Sequence, residues 1–265
     1  LEANKHSQVF ERTHRMNIIV AFKVVPDDQD IQVAGDRTLD YSKAKNTVST
    51  YDLNAFEAAA QLAGDGDKVV AATVGPKSID ESKLKKNVLA RGAEELFMVA
   101  DDACADLDAH ATAEELAALI GTIGEYGLVL CGDGSADNYA QQVDVQLAAK
   151  LGVPVVNAAR KVEVVDGAAV VERLLEDVVE TVRVPLPAVV SVVPDIAEPR
   201  IPGMRDILAA GKKPMNVSAA SAAAARTLET VSCLAPEQAD RKLDIADASD
   251  DGAIEKFAAA LKAAL

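Results

Sequence analysis

The stretch Val129-Leu-Cys-Gly-Asp-Gly-Ser-Ala-Asp-Asn-Tyr-Ala-Gln-Gln-Val-Asp-Val-Gln-Leu-Ala-Ala-Lys-Leu-Gly-Val-Pro154 decides how this chain folds. An apolar run enters a glycine-rich turn and leaves it as an amphipathic segment whose spacing predicts a helix over 138–151. A strand that turns into a helix in this way leaves the first helical N–H groups without partners at the end of a sheet, where a phosphate can be held. A nucleotide is therefore the first ligand to weigh. The motif does not decide the matter alone, because Gly132-Asp-Gly134 lacks the third glycine of a dinucleotide fingerprint and no Lys-Ser/Thr makes a Walker loop. Any α/β protein needs a glycine or two at such a junction. Asp133 and Asp137 would repel a phosphate they faced, so they are expected toward ribose hydroxyls or solvent while backbone amides meet the anion.

The same rhythm runs outward on both sides. Asn17–Phe22 reads as a first buried strand, and residues 30–40 as a short excursion or hairpin. Leu53, Phe56, Ala60 and Ala63 set a helix from Asp52, followed by a strand at Lys68–Val74. A helix over about 79–91, a strand at 95–99, a helix over about 112–124 and a strand at 128–131 continue the series. Strands joined by helical crossovers imply a mostly parallel, Rossmann-like sheet with helices on both faces, an α/β fold. Beyond a strand near Val155 the rhythm changes: 161–165 and 169–174 flank Asp166-Gly167 as a hairpin, 180–184 adds an exposed strand, and 185–193 returns to the core. The expected domains are 1–15, a tag or non-native extension; 16–211, a nucleotide-binding α/β domain; and 212–265, a C-terminal arm ending in a helix over 251–265 with Ile254, Phe257, Ala258 and Leu261 on one face. Such an arm lies on a partner or, alternatively, covers its own domain.

Composition removes several function classes. With 265 residues the chain can bury a full core, and with aromatics at 3% and no Trp that core must be Ala, Val, Leu and Ile. A formal charge of −15, from 42 acidic and 27 basic residues, disfavours nucleic acid and anionic membrane as partners. The three cysteines, Cys104, Cys131 and Cys233, stand in no CxxC or zinc spacing, and a reducing cytoplasm is the natural compartment. Only three histidines are present, so a His-based metal site or triad has almost nothing to work with. No apolar run is long enough to span a membrane, and residues 1–15 lack the apolar core of a signal peptide.

Four separated segments then converge on one family. Val20-Ala-Phe-Lys-Val-Val-Pro-Asp27, Tyr51-Asp-Leu-Asn-Ala-Phe-Glu-Ala-Ala59, the loop after Cys131, and Leu186–Ala210 with its Glu198-Pro-Arg200 resemble the beta subunit of electron transfer flavoproteins. The resemblance covers about residues 16–214. It implies pairing with an alpha subunit, FAD in the heterodimer, and AMP on beta, or the adenylate half of a second FAD in bifurcating members. It implies electron transfer between an acyl-CoA-type dehydrogenase or related reductase and a downstream acceptor, with no catalytic residue on this subunit. Ala21, Thr73, Val74 and Gly132 match positions that frame the adenosine. Gln141, Gln142 and Val143 match positions whose backbone amides hold the phosphate. Glu198, Pro199, Arg200 and Met204 match a loop that docks the dehydrogenase, with Met204 where leucine is usual; the bland alternative is that Met204 anchors its own short helix. Val143-Asp144 stands where many members have Thr-Gly, and Arg173–Val179 replaces an acidic Gly-Gly turn. Together with Cys131–Ser135 these departures resemble the anaerobic carnitine-pathway branch.

Other residues admit plainer readings. Glu172, Glu176, Asp177 and Glu180 near Arg173 and Arg183 read as a solvated hairpin face before paired acids. Asp101-Asp102 reads as helix caps or solubilising charge, and Cys131 as a small buried hydrophobe. The competing functions are a universal-stress-like protein binding an adenine nucleotide as a homodimer, and a structural partner that has lost its nucleotide.

Overall fold

The computed structural model describes residues 15–221, 226–237 and 245–264; the extension expected at 1–15 falls outside them except for Arg15. The elements in chain order are β1 (Asn17–Ala21), β2 (Val24–Pro26), β3 (Gln32–Val33), β4 (Leu39–Asp40), β5 (Asn46–Val48), α1 (Thr50–Leu62), β6 (Lys68–Gly75), α2 (Ser82–Leu89), β7 (Glu95–Ala100), α3 (Ala109–Ile123) and β8 (Leu128–Gly132). They continue as α4 (Val143–Leu151), β9 (Val155–Val165), β10 (Ala168–Leu174), β11 (Val179–Pro185), β12 (Ala188–Val192), α5 (Met204–Ala210), β13 (Met215–Ser218) and α6 (Ala253–Ala264).

Nine strands form one sheet in the order β11-β10-β9-β12-β8-β1-β6-β7-β13. Seven run parallel, and the β9–β10–β11 meander is antiparallel. This is the expected α/β architecture. Period-two alternation divides the parallel strands between two apolar layers. Ile18, Val20, Leu128 and Leu130 pack with α1 and α2, whereas Ile19, Ala21, Val70, Ala72, Val129 and Cys131 pack with α3 and α4. The chain moves outward from β1 to β6 and β7, then crosses back to place β8 on the other side of β1. That reversal opens a crevice at the carboxyl ends of β1 and β8, where α/β sheets take ligands.

Three expectations shift. The helix expected from 138 starts at Val143, because Tyr139 and Gln141 hold left-handed backbone with φ of 44° and 54°. Residues 215–218, read from sequence as part of the arm, form an edge strand parallel to β7. The meander is longer than its hairpin core, since β9 runs unbroken from Val155; Ala158 at φ 55° takes up the extra residue where the β9–β12 register slips. Asp166 and Gly167, both at positive φ, make its tight turn. The glutamates of that face pair with cations at the surface, Glu172 with Arg160 at 3.1 Å and Glu180 with Arg173 at 3.8 Å.

The described chain divides into two compact units. The first runs to Gln32 and from Tyr41 to Val231, and contains the nine-stranded sheet; the second joins Val33–Asp40 to the chain from Ser232 onward. In the second, Arg37 accepts the Ala235 N–H on its carbonyl at 2.9 Å and pairs with Glu237 at 3.2 Å, and α6 leaves Ile254, Phe257 and Leu261 exposed. No helix among the described residues is long and apolar enough to cross a membrane.

Candidate functional site

A cavity of about 460 Å³ lies at the reversal point, on the α3/α4 side of the sheet, within the size range of small-molecule sites. Strand alternation decides which side chains reach it. Ala21 and Cys131 close their strands on that face, and Val74 follows Ala72 on the same side. Leu107, Leu116 and Leu147 complete an apolar wall. Of the residues expected to hold a nucleotide, the cavity brings together Ala21, Val74, Gly132, Gln141, Gln142 and Val143. Thr73 is not among them. It is fully buried, and its hydroxyl donates to the Phe22 carbonyl at 2.7 Å, tying β6 to the chain leaving β1.

The opposite wall is the start of α4. Gln142 stands at the N-cap, and its side chain accepts the Gln146 amide at 3.4 Å but no backbone N–H of the helix, so the first-turn N–H groups are left for a ligand or solvent. Gln141 at φ 54° is followed by Gln142 at φ −126°, ψ −25°. Such a change of hand aims successive N–H groups into one concavity, the geometry of an anion nest. Left-handed backbone at Tyr139 and Gln141 costs about 1–2 kcal/mol per residue and persists only where surroundings impose it. Here they do. The rings of Tyr51 and Tyr139 lie 5.1 Å apart, the Tyr139 hydroxyl donates to Asp133 at 3.1 Å, Ser49 Oγ accepts the Ala136 N–H at 3.2 Å, and Lys23 Nζ pairs with Asp137 at 2.6 Å. Asp137 is thus turned to Lys23 and to the Ser135 hydroxyl, and burial raises the Asp133 carboxyl above the usual carboxylate range.

The hub beneath this loop is α1, whose apolar spacing alone sets the helix in the sequence. Asp52 is buried and accepts two backbone donors, Lys23 N–H at 2.8 Å and Gly132 N–H at 2.8 Å, so one carboxylate joins the ends of β1 and β8. Burial pushes that carboxyl up to about 7 despite both donors. The Asn54 amide donates to the carbonyls of Pro194 at 3.0 Å and Ala197 at 2.8 Å. Glu57, also buried, receives the Arg200 guanidinium at 2.6 and 3.1 Å, which holds its carboxyl below the usual range. The first three similar segments meet at Asp52, and the second and fourth meet at Asn54 and Glu57. The signal in the sequence is Asp52, Asn54 and Glu57 set among Leu53, Ala55, Phe56 and Ala58. Gly132 is required for the same reason: a Cβ there would lie 2.6 Å from Tyr51 Cβ and 2.9 Å from Tyr51 backbone carbon. The tight neighbour is α1 itself, at a position that the family resemblance implies frames the adenosine.

Of the residues expected to dock a partner, Arg200 reaches α1. Arg200 turns inward to Glu57 and its carbonyl accepts from Arg91 at 2.6 Å, while Glu198 is exposed and Pro199 half-buried. Met204 opens α5 with its side chain exposed, beside exposed Ile201 and Leu208. Cys131 lies buried at the cavity floor with its thiol pushed well up by burial, consistent with an inert side chain. An adenylate fits this donor set: an apolar slot for a base, an uncapped helix start for a phosphate, and a loop preformed around both. Residues 37–223, well over half of the chain, match a family model described as the electron transfer flavoprotein domain.

Proposed function

The chain belongs to the electron transfer flavoprotein family, and from that premise we propose that it is the beta subunit of a heterodimer whose alpha subunit carries the redox-active FAD. Its cavity holds AMP or, in a bifurcating complex, the adenylate half of a second FAD. The observation that carries this reading is the uncapped start of α4 facing an apolar slot at the sheet's reversal point. Ala21 and Val74 flank the adenine, Gly132 lets α1 close on the floor, and the N–H groups of Gln141, Gln142 and Val143 meet the phosphate. Thr73 acts behind the wall, through the Phe22 carbonyl. When bound, flavin supplies reversible electron uptake; this chain's residues bind and orient, and none performs chemistry of its own. The segment Glu198–Ala210 docks an acyl-CoA-type dehydrogenase or related reductase through Met204, with Arg200 acting through Glu57, and the arm from 212 engages the alpha subunit. The 131–135 loop, Val143-Asp144 and 173–179 support the anaerobic carnitine-pathway branch, and the unclustered cysteines support a cytoplasmic complex.

The test is the absorbance spectrum and nucleotide content of the native complex. A stoichiometric alpha subunit, a yellow flavin and one AMP per heterodimer are expected. Two flavins with coupled NADH oxidation to high- and low-potential acceptors replace AMP by a second FAD. A colourless homodimer holding ATP overturns the subunit assignment in favour of the universal-stress-like reading.

A further inference from the structure

Downstream of β13 the chain is laced along α3 by a row of carboxylates. Asp101, just past β7, accepts the Ala220 N–H at 3.2 Å. Glu115, buried on α3, accepts the Ser221 N–H at 2.6 Å and the Ser221 hydroxyl at 2.8 Å. Asp108, the N-cap of α3, works in two directions. Its Oδ1 accepts the Ala111 N–H at 2.8 Å and caps the helix, while its Oδ2 accepts the Thr227 N–H at 2.6 Å, the Thr227 hydroxyl at 2.9 Å and the Leu228 N–H at 2.8 Å. The segment so held contributes Arg226, Leu228, Glu229 and Thr230 to the wall of the cavity. Leu228 stays 66% exposed, so apolar burial does little to hold this wall. Among the described residues, the hydrogen bonds that fasten 226–230 go to one carboxylate oxygen. These donors keep the Asp108 carboxyl far below the usual range, so it is ionised at neutral pH and its hydrogen bonds are of the stronger, charge-assisted kind.

We propose that residues 226–230 form a strap across one side of the cavity and that Asp108 is its latch, a positioning residue that sets how fast the bound ligand exchanges. The proposal rests on the cavity being the nucleotide site. Because the two oxygens have separate tasks, the strap can release from Oδ2 while Oδ1 still caps α3, so opening needs no unfolding of the helix. Local opening of this kind, at the low-stability end of a structure, limits release of an enclosed ligand.

Asp108→Ser separates the tasks, since serine is an N-cap as good as aspartate but has a single oxygen to offer. Thr227→Val, which removes one of the three donors from the strap side, is the milder second variant. The full chain is loaded with radiolabelled AMP and chased with unlabelled AMP, and alkylation of Cys131 by N-ethylmaleimide is followed by mass spectrometry. Release at least tenfold faster in Asp108→Ser, a smaller acceleration in Thr227→Val, and faster labelling of Cys131 are expected. Release and labelling both within twofold of the parent overturn the latch. Faster labelling with unchanged AMP release overturns the claim on exchange. A parent chain that takes up neither AMP nor FAD defeats the nucleotide reading by itself, and Cys131 labelling then decides the strap: unchanged labelling overturns it, faster labelling supports it.

Discussion

The first half of α1 and the face beyond Arg200 break the usual distribution of polar and apolar residues in opposite senses. α1 carries Asp52, Asn54 and Glu57 into the interior, whereas the loop and helix after Arg200 carry Ile201, Met204 and Leu208 outward at 92%, 74% and 68% exposure. Each buried polar group is answered within the chain, by Lys23 and Gly132, by Pro194 and Ala197, and by Arg200. Among the described residues the exposed apolar groups receive no such answer. Buried polarity here organises a site, because an unmet polar atom inside is costly and so dictates where its partners must stand. Exposed apolarity of this extent is what the docking role proposed for Glu198–Ala210 requires.

The sharpest way to break that contrast is Asp52→Ala. It leaves the Lys23 and Gly132 N–H groups without their acceptor at the junction of β1 and β8, at about 1–3 kcal/mol for each buried group. A loss of about 2–5 kcal/mol in urea unfolding is expected, together with loss of retained nucleotide. A variant as stable as the parent would mean that solvent readily replaces the carboxylate, and the hub would be no hub.

Acidity tests the same residue without altering it. Burial raises the Asp52 carboxyl to about 7, so the folded chain keeps a proton that the unfolded chain releases near pH 4. Stability therefore falls as pH rises between those values and levels off above about 7. Across pH 5.5 to 8 the decline from this group is roughly 2 kcal/mol, at about 1.4 kcal/mol per unit below the folded pKa. Asp133, also raised by burial, adds to the decline with the same sign. The lowered Glu57 acts oppositely, but its contribution is lost only in more acid solution, near and below its ordinary value. Urea midpoints at pH 5.5 and 8 should differ in the parent and draw together in Asp52→Ala.

Arg200→Ala probes the joint between the two regions. It leaves Glu57 buried with the Gln61 amide, at 2.9 Å, in place of a bidentate cation. Because the Arg200 side chain is 43% exposed, solvent screening limits the loss to about 1–2 kcal/mol. The expected signature is a modest fall in the urea midpoint with nucleotide content intact, since Asp52 and the α4 start are untouched. Loss of nucleotide would show that the loop and the cavity are one cooperative unit.

Much of this fold is legible in the sequence, for physical reasons that also mark where legibility ends. Buried parallel strands such as Ile18–Ala21 and Val69–Ala72 are continuous apolar runs, and that composition admits few other structures. Met215–Ser218 escaped notice because an edge strand of four mostly exposed residues has neither run nor alternation to announce it. The start of α4 was misread because left-handed backbone at Tyr139 and Gln141 is imposed by Tyr51, Asp133 and Lys23, residues far away in sequence or hidden in the loop itself. Thr73 and Val74 looked equivalent in sequence, and only their strand's facing separates a cavity residue from one buried behind it. Asp52, Asn54 and Glu57 were visible as letters, but their inward orientation depends on partners contributed by three other segments.

The smallest effect on stability belongs to Met204→Ala. Met204 is 74% exposed at the first turn of α5, so truncating it removes little buried surface, and the expected change in unfolding free energy stays within about 0.5 kcal/mol. If the exposed apolar face awaits a partner, the cost must appear there instead, because a flexible thioether at the centre of an apolar patch fills an irregular pocket well. Electron transfer from the cognate dehydrogenase should slow by roughly tenfold, about 1.4 kcal/mol of lost contact, with heterodimer assembly and nucleotide content unchanged. The slowing should appear as weaker dehydrogenase affinity in a titration of rate against concentration, and Met204→Leu should restore it, since leucine refills the pocket with similar volume. Unaltered kinetics would leave the outward apolar face without a docking role. A fall in stability or in assembly would show that Met204 serves its own subunit, and the contrast with α1 would then dissolve into two kinds of internal support.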